Sequence, residues 1–504
     1  MKKILALILV AIFVLAALAA CGKDNGDQSK DTQSAQSQAS ADTTEDQSDI
    51  SEDTSNDIYS HLRSFNLNER TVKILVYDDS RGRYKSSEIM SHTDNAEKIN
   101  EGIVDRNRIV EELLNCKIEE VRVADVLSSA RTDILGSGEY DIIMPYMPNA
   151  ATLAQEGYLI DLNEFSDIIK LDQPYWDQRA NLDLSIAGKL FFSTGDFSLL
   201  TFDCTHAIVF NKTLVANTAG VEDPYQLLRD DEWTFDALLR NASLVTTDSD
   251  GEDGMTFMDT WGLFINTGYT TTMFIGSGER LTGKDENDYP VIAVNTLRAS
   301  SVVEKIRDIY NDSTATIVIE NYESSLGGKY SDVYYAATAA TGENRALFRT
   351  MSIVDLKELS DFDVSYGILP TPKFNDDQDE YYNIVSAILA SCICIHQNVQ
   401  DPEESAAVAE ALAAASTETV RKAYYEYVLK GRKIPDEEGE AALDIIFNNR
   451  VYEMATIYSF GELSQLISTC AAASTDIFAS KFESIKESVE QQIANVVSAY
   501  EDMG

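Results

Sequence analysis

Hydrophobic period alternates along residues 71–145, and few architectures accommodate that alternation. Thr71-Val72-Lys73-Ile74-Leu75-Val76-Tyr77 is a short β-branched run that ends in the polar turn Asp78-Asp79-Ser80-Arg81-Gly82. From Asn100 to Leu114 the apolar residues Ile103, Ile109, Val110, Leu113 and Leu114 recur at helical spacing. Lys117 to Val123 returns to strand character, and Tyr140-Asp141-Ile142-Ile143-Met144 is a buried-type strand stopped by Pro145. Strands alternating with helices predict an α/β fold, a parallel sheet with helices on both faces. Ligands of such sheets sit at the carboxyl ends of the strands. That rule puts Tyr77, Asp78 and Asp79, then Tyr146 and Met147, at the binding edge. For each of them singly, an ordinary loop role is the simpler reading.

The N-terminus carries an address. Lys2 and Lys3 precede an apolar run from Ile4 to Ala20, which is closed by small residues. This is the pattern of a secretory signal. Leu18-Ala19-Ala20-Cys21-Gly22 resembles the bacterial lipobox, which implies cleavage before Cys21, its diacylation and stable anchoring by two chains. Residues 22–57 hold ten acids, two lysines and a single large aliphatic, Ile50. Such a segment cannot form a core and is expected to be a disordered tether extended by its own charge.

Charge then removes whole classes of partner. The 504 residues hold 84 acids against 40 bases, a formal net charge of -44. Phosphate backbones and anionic lipid surfaces repel such a chain, so nucleic-acid binding and a peripheral basic patch are both excluded. With 44% hydrophobic residues the body is not disordered. Six cysteines are too few for a disulfide scaffold.

Several further segments, taken in order, resemble the large sugar-binding (family 1) group of bacterial extracellular solute-binding proteins that serve ABC importers. They are Asp141-Ile142-Ile143 followed by Gly157-Tyr158-Leu159-Ile160-Asp161-Leu162, then Ala187-Gly188-Lys189-Leu190-Phe191-Phe192, which lacks the family's proline. Ala207-Ile208-Val209-Phe210-Asn211-Lys212 is similar to the hinge-crossing strand, and Glu232-Trp233-Thr234-Phe235-Asp236-Ala237-Leu238 to a helix start. Gly342-Glu343-Asn344-Arg345-Ala346-Leu347-Phe348 and Tyr366-Gly367-Ile368-Leu369-Pro370-Thr371-Pro372 complete the series. Asn100 to Arg108 suggests a clostridial-type branch.

The resemblance implies a two-lobed, type II periplasmic-binding-protein-like fold. Each lobe is a sheet flanked by helices, joined to the other by hinge strands. It implies residues 1–20 as signal peptide and 21–57 as lipidated tether. Lobe one is then 58–200 plus 342–380, and lobe two 201–341 plus 381–504. It implies a monomer on the extracellular face of the cytoplasmic membrane. This monomer captures a solute, an oligosaccharide above all, and hands it to an ABC permease without chemistry of its own. A surface-anchored carbohydrate-active enzyme and a glycan-binding adhesin or sensor are the competing readings. No Gly-x-Ser-x-Gly elbow, His-Glu-x-x-His, P-loop or dinucleotide glycine pattern occurs.

Sugar recognition needs flat apolar platforms and planar polar groups. Tyr77, Tyr146, Phe197, Tyr269 and Tyr382 fall in expected loops or lobe crossings, with Met147 beside them. Asp78 and Asp196 could accept hydroxyls, and Arg349 and Met351 lie where the family returns to its cleft. Core packing is the competing role for each aromatic. Trp233 is assigned to packing beside Thr234 as helix N-cap, whereas Trp261-Gly262-Leu263 fits either role. No cofactor is expected. Asp248, Asp250, Glu252 and Asp259 space carboxylates as a Ca2+ loop does, although Gly254 stands one place late and the last position is Asp. A structural Ca2+ and a solvated acidic turn both fit. Cys116, Cys204, Cys392, Cys394 and Cys470 read as buried apolar residues, with a Cys116–Cys204 bridge conceivable.

Overall fold

The computed structural model describes residues 57–326, 328–430 and 437–503. The signal, Cys21 and all but the last residue of the tether lie outside them. Strand β1 (Arg70–Tyr77) shows why the first sheet forms. Val72, Ile74 and Val76 point into one apolar cluster, while Leu75 and Tyr77 enter another on the opposite face. A strand buried on both faces belongs in the middle of a sheet. It pairs in parallel with β2 (Cys116–Val123), Arg70 opposite Cys116 through Tyr77 opposite Val123, and with β3 (Ile142–Ile143) on its other edge.

Helix α1 (Glu97–Leu114) joins β1 to β2. It buries Ile99, Ile103, Val110 and Leu114 along one stripe and ends at Asn115 in the left-handed conformation, φ 50°. Helix α2 (Met147–Gln155) follows β3, and α3 (Gln178–Leu184) lies further along the same lobe. The Cys21-distal thiols Cys116, Cys204, Cys392, Cys394 and Cys470 are all free and buried, so no Cys116–Cys204 bridge forms. Burial pushes the Cys116 and Cys470 thiols up to about 11.

The second lobe is built on a five-stranded mixed sheet. Its order is β10 (Tyr366–Leu369), β4 (His206–Asn211), β9 (Ala346–Ser352), β5 (Trp261–Ile265) and β8 (Thr316–Val318). The expected parallel pairing holds for β1, β2 and β3 of the first lobe, while the run 391–396 joins its edge antiparallel. Here β5 is parallel to β8 and β9, but β4 runs antiparallel to both β9 and β10. A hairpin of β6 (Thr282–Lys284) and β7 (Pro290–Ile292) and a short parallel pair of β11 (Asn383–Ile384) with β12 (Arg450–Val451) complete the strands described.

Helix α4 (Phe235–Val245) lies on β5 so closely that a Cβ on Gly262 would stand 2.0 Å from the Ala242 carbonyl oxygen. Trp233 packs as expected, its indole N–H donating to the Pro370 carbonyl (2.9 Å), and the Thr234 hydroxyl caps α4 by accepting from Ala237 N–H (3.3 Å). Trp261 is buried and donates to the Thr256 carbonyl (2.7 Å), which settles it as packing. Helix α5 (Tyr269–Gly276) follows β5.

This topology corrects the expected assignment of segments. Residues 346–369 stay in the sheet of β4 rather than returning to the first lobe. The chain returns later: Ile393 N–H donates to the Ser193 carbonyl (2.8 Å), and Cys394 and Ile143 exchange two bonds of 3.0 Å each. Helix α6 (Pro402–Ser416), capped by Asp401, then covers the first sheet, every residue from Ser405 to Ser416 buried. The physical reason is register. Once β4 crosses, its two open edges are filled by β9 and β10, and only the run 391–396 is left to extend the first sheet. The C-terminal helix α7 (Phe478–Asp502) buries Phe482, Ile485, Val489, Ile493, Val496 and Tyr500 as one stripe.

Candidate ligand-binding cleft

After β1 the chain turns through a short 3-10 segment, Asp79–Tyr84, whose start is capped by Asp78 accepting from Ser80 N–H (3.0 Å). Gly82 adopts φ 59° and ψ -126°, a conformation that glycine reaches without a Cβ penalty, and folds the segment back. The loop rests on a platform. Tyr77 and Tyr146 stack at 4.0 Å, and the Arg81 guanidinium lies 5.1 Å from the centre of each ring. Tyr146 O–H donates to the Tyr84 carbonyl (2.8 Å), and Asn149 donates to Tyr77 Oη (2.7 Å). The outcome is that Arg83 and Tyr84, not the platform tyrosines, face the space between the lobes.

That space is a cavity of about 640 Å³. Arg83 and Tyr84 form its first-lobe wall. The facing wall comes from the ends of β4, β5 and β9: His206, Asn266, Tyr269, Arg349, Met351 and Asp355, with Tyr334 at the rim. The crossing segment Ile384–Leu389 and the hydroxyls of Thr456, Ser459, Ser464 and Ser468 close it. Ile388 and Tyr334 are exposed apolar surfaces at this cavity, 54% and 44% exposed.

An ion network joins the walls. Arg83 Nη1 lies 2.6 Å from Asp355 and 3.3 Å from Glu358, and Arg349 Nη2 lies 3.5 Å from the other Asp355 oxygen. Arg349 also donates to the Tyr334 carbonyl (3.0 Å). Burial lowers the Arg349 guanidinium from its ordinary value, with Asp355 opposing. Against burial, Asp355 and Glu358 raise Arg83. Asp332, 4.0 Å from Arg83 Nη2, is a third acid, so the two cations of this wall are fully matched by carboxylates. His206 Nδ1 lies 2.6 Å from Thr272 Oγ1, its ring stacks on Tyr269 at 5.5 Å, and burial pushes it down to about 4. It is therefore neutral at pH 7.

Of the ten residues expected at the ligand, Tyr269, Arg349 and Met351 line this cavity. Tyr77 and Tyr146 lie beneath its loop, and Asp78 caps that loop. Met147 is buried at the start of α2. Asp196 is buried and accepts from Thr417 (2.7 Å) and Arg421 (3.3 Å). Phe197 packs edge-on against Trp176 at 5.7 Å. Tyr382 sits under the Arg280 guanidinium (4.7 Å). His206, Asn266, Arg83, Tyr84 and Asp355 were not singled out by the sequence. The carboxyl-end rule applied to β5, to β9 and to the loop beyond Gly82 reaches Asn266, Asp355, Arg83 and Tyr84, but not His206, the first residue of β4.

In the acidic loop, carboxylate oxygens of Asp248, Asp250 and Asp259 come within 4.8 Å of one another, and Glu252 is not among them. Asp259 accepts from the N–H groups of Ser249 (2.6 Å), Asp250 (2.9 Å) and Thr256 (2.7 Å). Against the desolvation that burial imposes, these bonds hold its carboxyl below the ordinary range.

In fold the chain is similar to UgpB from Mycobacterium tuberculosis in complex with glycerophosphocholine (TM-score 0.53, 10% identity, covering 84% of this chain and 98% of that one). It is also similar to the maltose/maltodextrin-binding domain MalE from Bdellovibrio bacteriovorus bound to maltotriose (TM-score 0.51, 14%, 84% and 100%). A third similar structure is an ABC substrate-binding protein from Listeria monocytogenes in complex with cycloalternan (TM-score 0.50, 13%, 85% and 98%). No curated protein matches. Residues 117–415 match the family described as bacterial extracellular solute-binding protein, and the chain, two-lobed with a cleft between its sheets, belongs to that family.

Proposed function

We propose that the protein captures a neutral oligosaccharide in the 640 Å³ cavity, closes on it and presents it to an ABC permease without altering it. The observation that carries this reading is the cavity wall itself. Tyrosine and isoleucine surfaces stand beside a band of hydroxyls and amide, and the charges of Arg83 and Arg349 are already matched by Asp355 and Glu358. Apolar faces suit the C–H surfaces of sugar rings, and polar groups fixed at the rim suit their hydroxyls. A compensated wall favours a neutral solute over an anionic one. Two of the three similar structures named above hold carbohydrates.

In this reading Cys21, diacylated, holds the protein on the outer face of the cytoplasmic membrane, and residues 22–57 tether the body above it. Among the described residues no helix is long and apolar enough to cross a membrane. Lobe one comprises residues 57–204 and 386–430, and lobe two 205–385 and 437–503. The protein works as a monomer of clostridial-type ancestry. A structural Ca2+ on Asp248, Asp250 and Asp259 belongs to the same reading, supported by their convergence.

The test is a ligand panel on the full-length protein in mild detergent. Neutral oligosaccharides are expected to raise the melting temperature and to reduce the radius of gyration in small-angle scattering, with the sugar recovered unchanged. A response only to glycerophosphodiesters would replace the substrate class. Silence across both sets, or a cleaved sugar, would refute capture without chemistry.

A further inference from the structure

A second cavity, of about 220 Å³, shares no lining residue with the first. Its walls are Arg179, Leu182 and Asp183 of α3, Arg280, Thr282, Gly283 and Lys284, and Tyr452 to Met454. Three cations and two carboxylates face it, and the partners of each decide what remains available. Lys284 is saturated: its ammonium donates to the Leu182 carbonyl (2.5 Å), to the Ser185 carbonyl (2.6 Å) and hydroxyl (2.7 Å), and to Asp288 (2.7 Å). Glu453 is saturated as well. It accepts from the N–H groups of Leu281 (3.0 Å), Thr282 (3.1 Å) and Ala455 (3.1 Å), and from the Thr282 hydroxyl. Asp183 accepts from Arg179 Nε (2.9 Å) and from Tyr452 N–H (3.1 Å).

Arg280 is different. Among the described residues it makes no ion pair. Its Nη1 donates to the carbonyls of Ile275 (3.3 Å) and Glu279 (2.9 Å), and the Tyr382 ring lies 4.7 Å from the guanidinium carbon. Burial and then the neighbouring Arg179 charge hold it below the ordinary guanidinium range. The carboxylates of Asp183 and Glu453 line the same cavity and oppose this shift, but neither forms an ion pair with Arg280. Guanidinium groups bind oxyanions through paired N–H donors, and Arg179 has only its Nε engaged by Asp183. At roughly 30 Å³ per water, the cavity has room for an oxyanion with several waters.

We propose that this second cavity is an anion site, in which Arg179 and Arg280 hold a phosphate group distinct from the solute of the main cleft. The group has two sources, free inorganic phosphate or a phosphomonoester on a small organic molecule. Calorimetry on the full-length protein in mild detergent separates them, with inorganic phosphate, glycerol 3-phosphate and sodium chloride titrated at matched ionic strength. Saturable heat is expected from one or both phosphates and not from chloride. Tighter binding of inorganic phosphate marks a free-ion site, and tighter binding of glycerol 3-phosphate marks an organic ligand. Arg280→Gln is expected to weaken phosphate about tenfold or more, and Arg280→Lys less, because a point charge keeps attraction but loses the fork. Arg179→Gln, at a side chain 40% exposed, supplies a variant that folds if Arg280→Gln does not. Heat shared equally by chloride, no heat from either phosphate, or phosphate affinity unchanged in the folded variants would overturn the proposal.

Discussion

Glu88 shows how one buried acid shapes the response of the whole protein to pH. Its side chain is fully buried, accepting from Ser391 Oγ (2.9 Å) and Ser87 N–H (3.1 Å), and burial pushes it up to about 7. Between the ordinary glutamate range and about 7 the folded protein keeps a proton that the unfolded chain has released, so stability falls as pH rises through that window and levels off above it. Glu88→Gln removes this term. From pH 5 to pH 8 the variant is expected to gain about 2 kcal/mol relative to the natural protein, measured by urea unfolding at each pH. A constant difference would show that Glu88 is ionised throughout. Residues also mark where sequence reading stops. The loop after β1 was legible as a binding edge from its place in the chain. The inversion at Gly82, which turns Tyr77 into support and brings Tyr84 forward, depends on one backbone conformation that composition does not encode.

Elements were legible where a period governs them. The stripe of α1, the β-branched run of β1 and the capped start of α4 all follow from spacing, residue type and cap chemistry, and the structure holds them where they are expected. The seating of α4 on β5 is of another kind, because it requires the absence of a side chain. Gly262→Ala would drive a methyl into the Ala242 backbone, which cannot rotate away as a side chain could. The helix must lift from the sheet, at a cost of about 3 kcal/mol, the upper part of the range for overpacked cores. A lowered urea midpoint with an unchanged slope is the expected readout. Full stability would mean that α4 and β5 can separate freely. The segment 383–396 shows the limit of such reading. Its two ends pair with different lobes, 383–385 with the stretch around Val451 and 391–396 with the first sheet.

For the whole molecule, charged contacts join the lobes at several points, Arg450 with Asp177 (2.7 Å) and Lys357 with Asp203 (3.2 Å) among them, and Arg83 reaches across the main cavity to Asp355 and Glu358. Arg83→Ala leaves both acids without their shared cation. The unliganded protein is expected to relax to a more open average, with a radius of gyration larger by about 1 Å in scattering, as hinge closure loses a favourable contact. An unchanged scattering curve would show that other contacts set the resting angle. The two-lobed plan was legible from ordered motifs, but the partition of the chain was not, since which strands fill the edges of β4 is decided by long-range pairing. That pairing also dictates the order of assembly. Arg70, at the start of β1, bonds to Glu404 of the covering helix, 334 residues further on. A chain emerging from its N-terminus displays the first sheet long before the helix that roofs it has been made. Closing so long a loop is entropically slow. The first lobe therefore stays unfinished until residue 416 is delivered, and a fragment ending before Pro402 would expose Val110, Leu114 and Ile142 to water and to one another's copies.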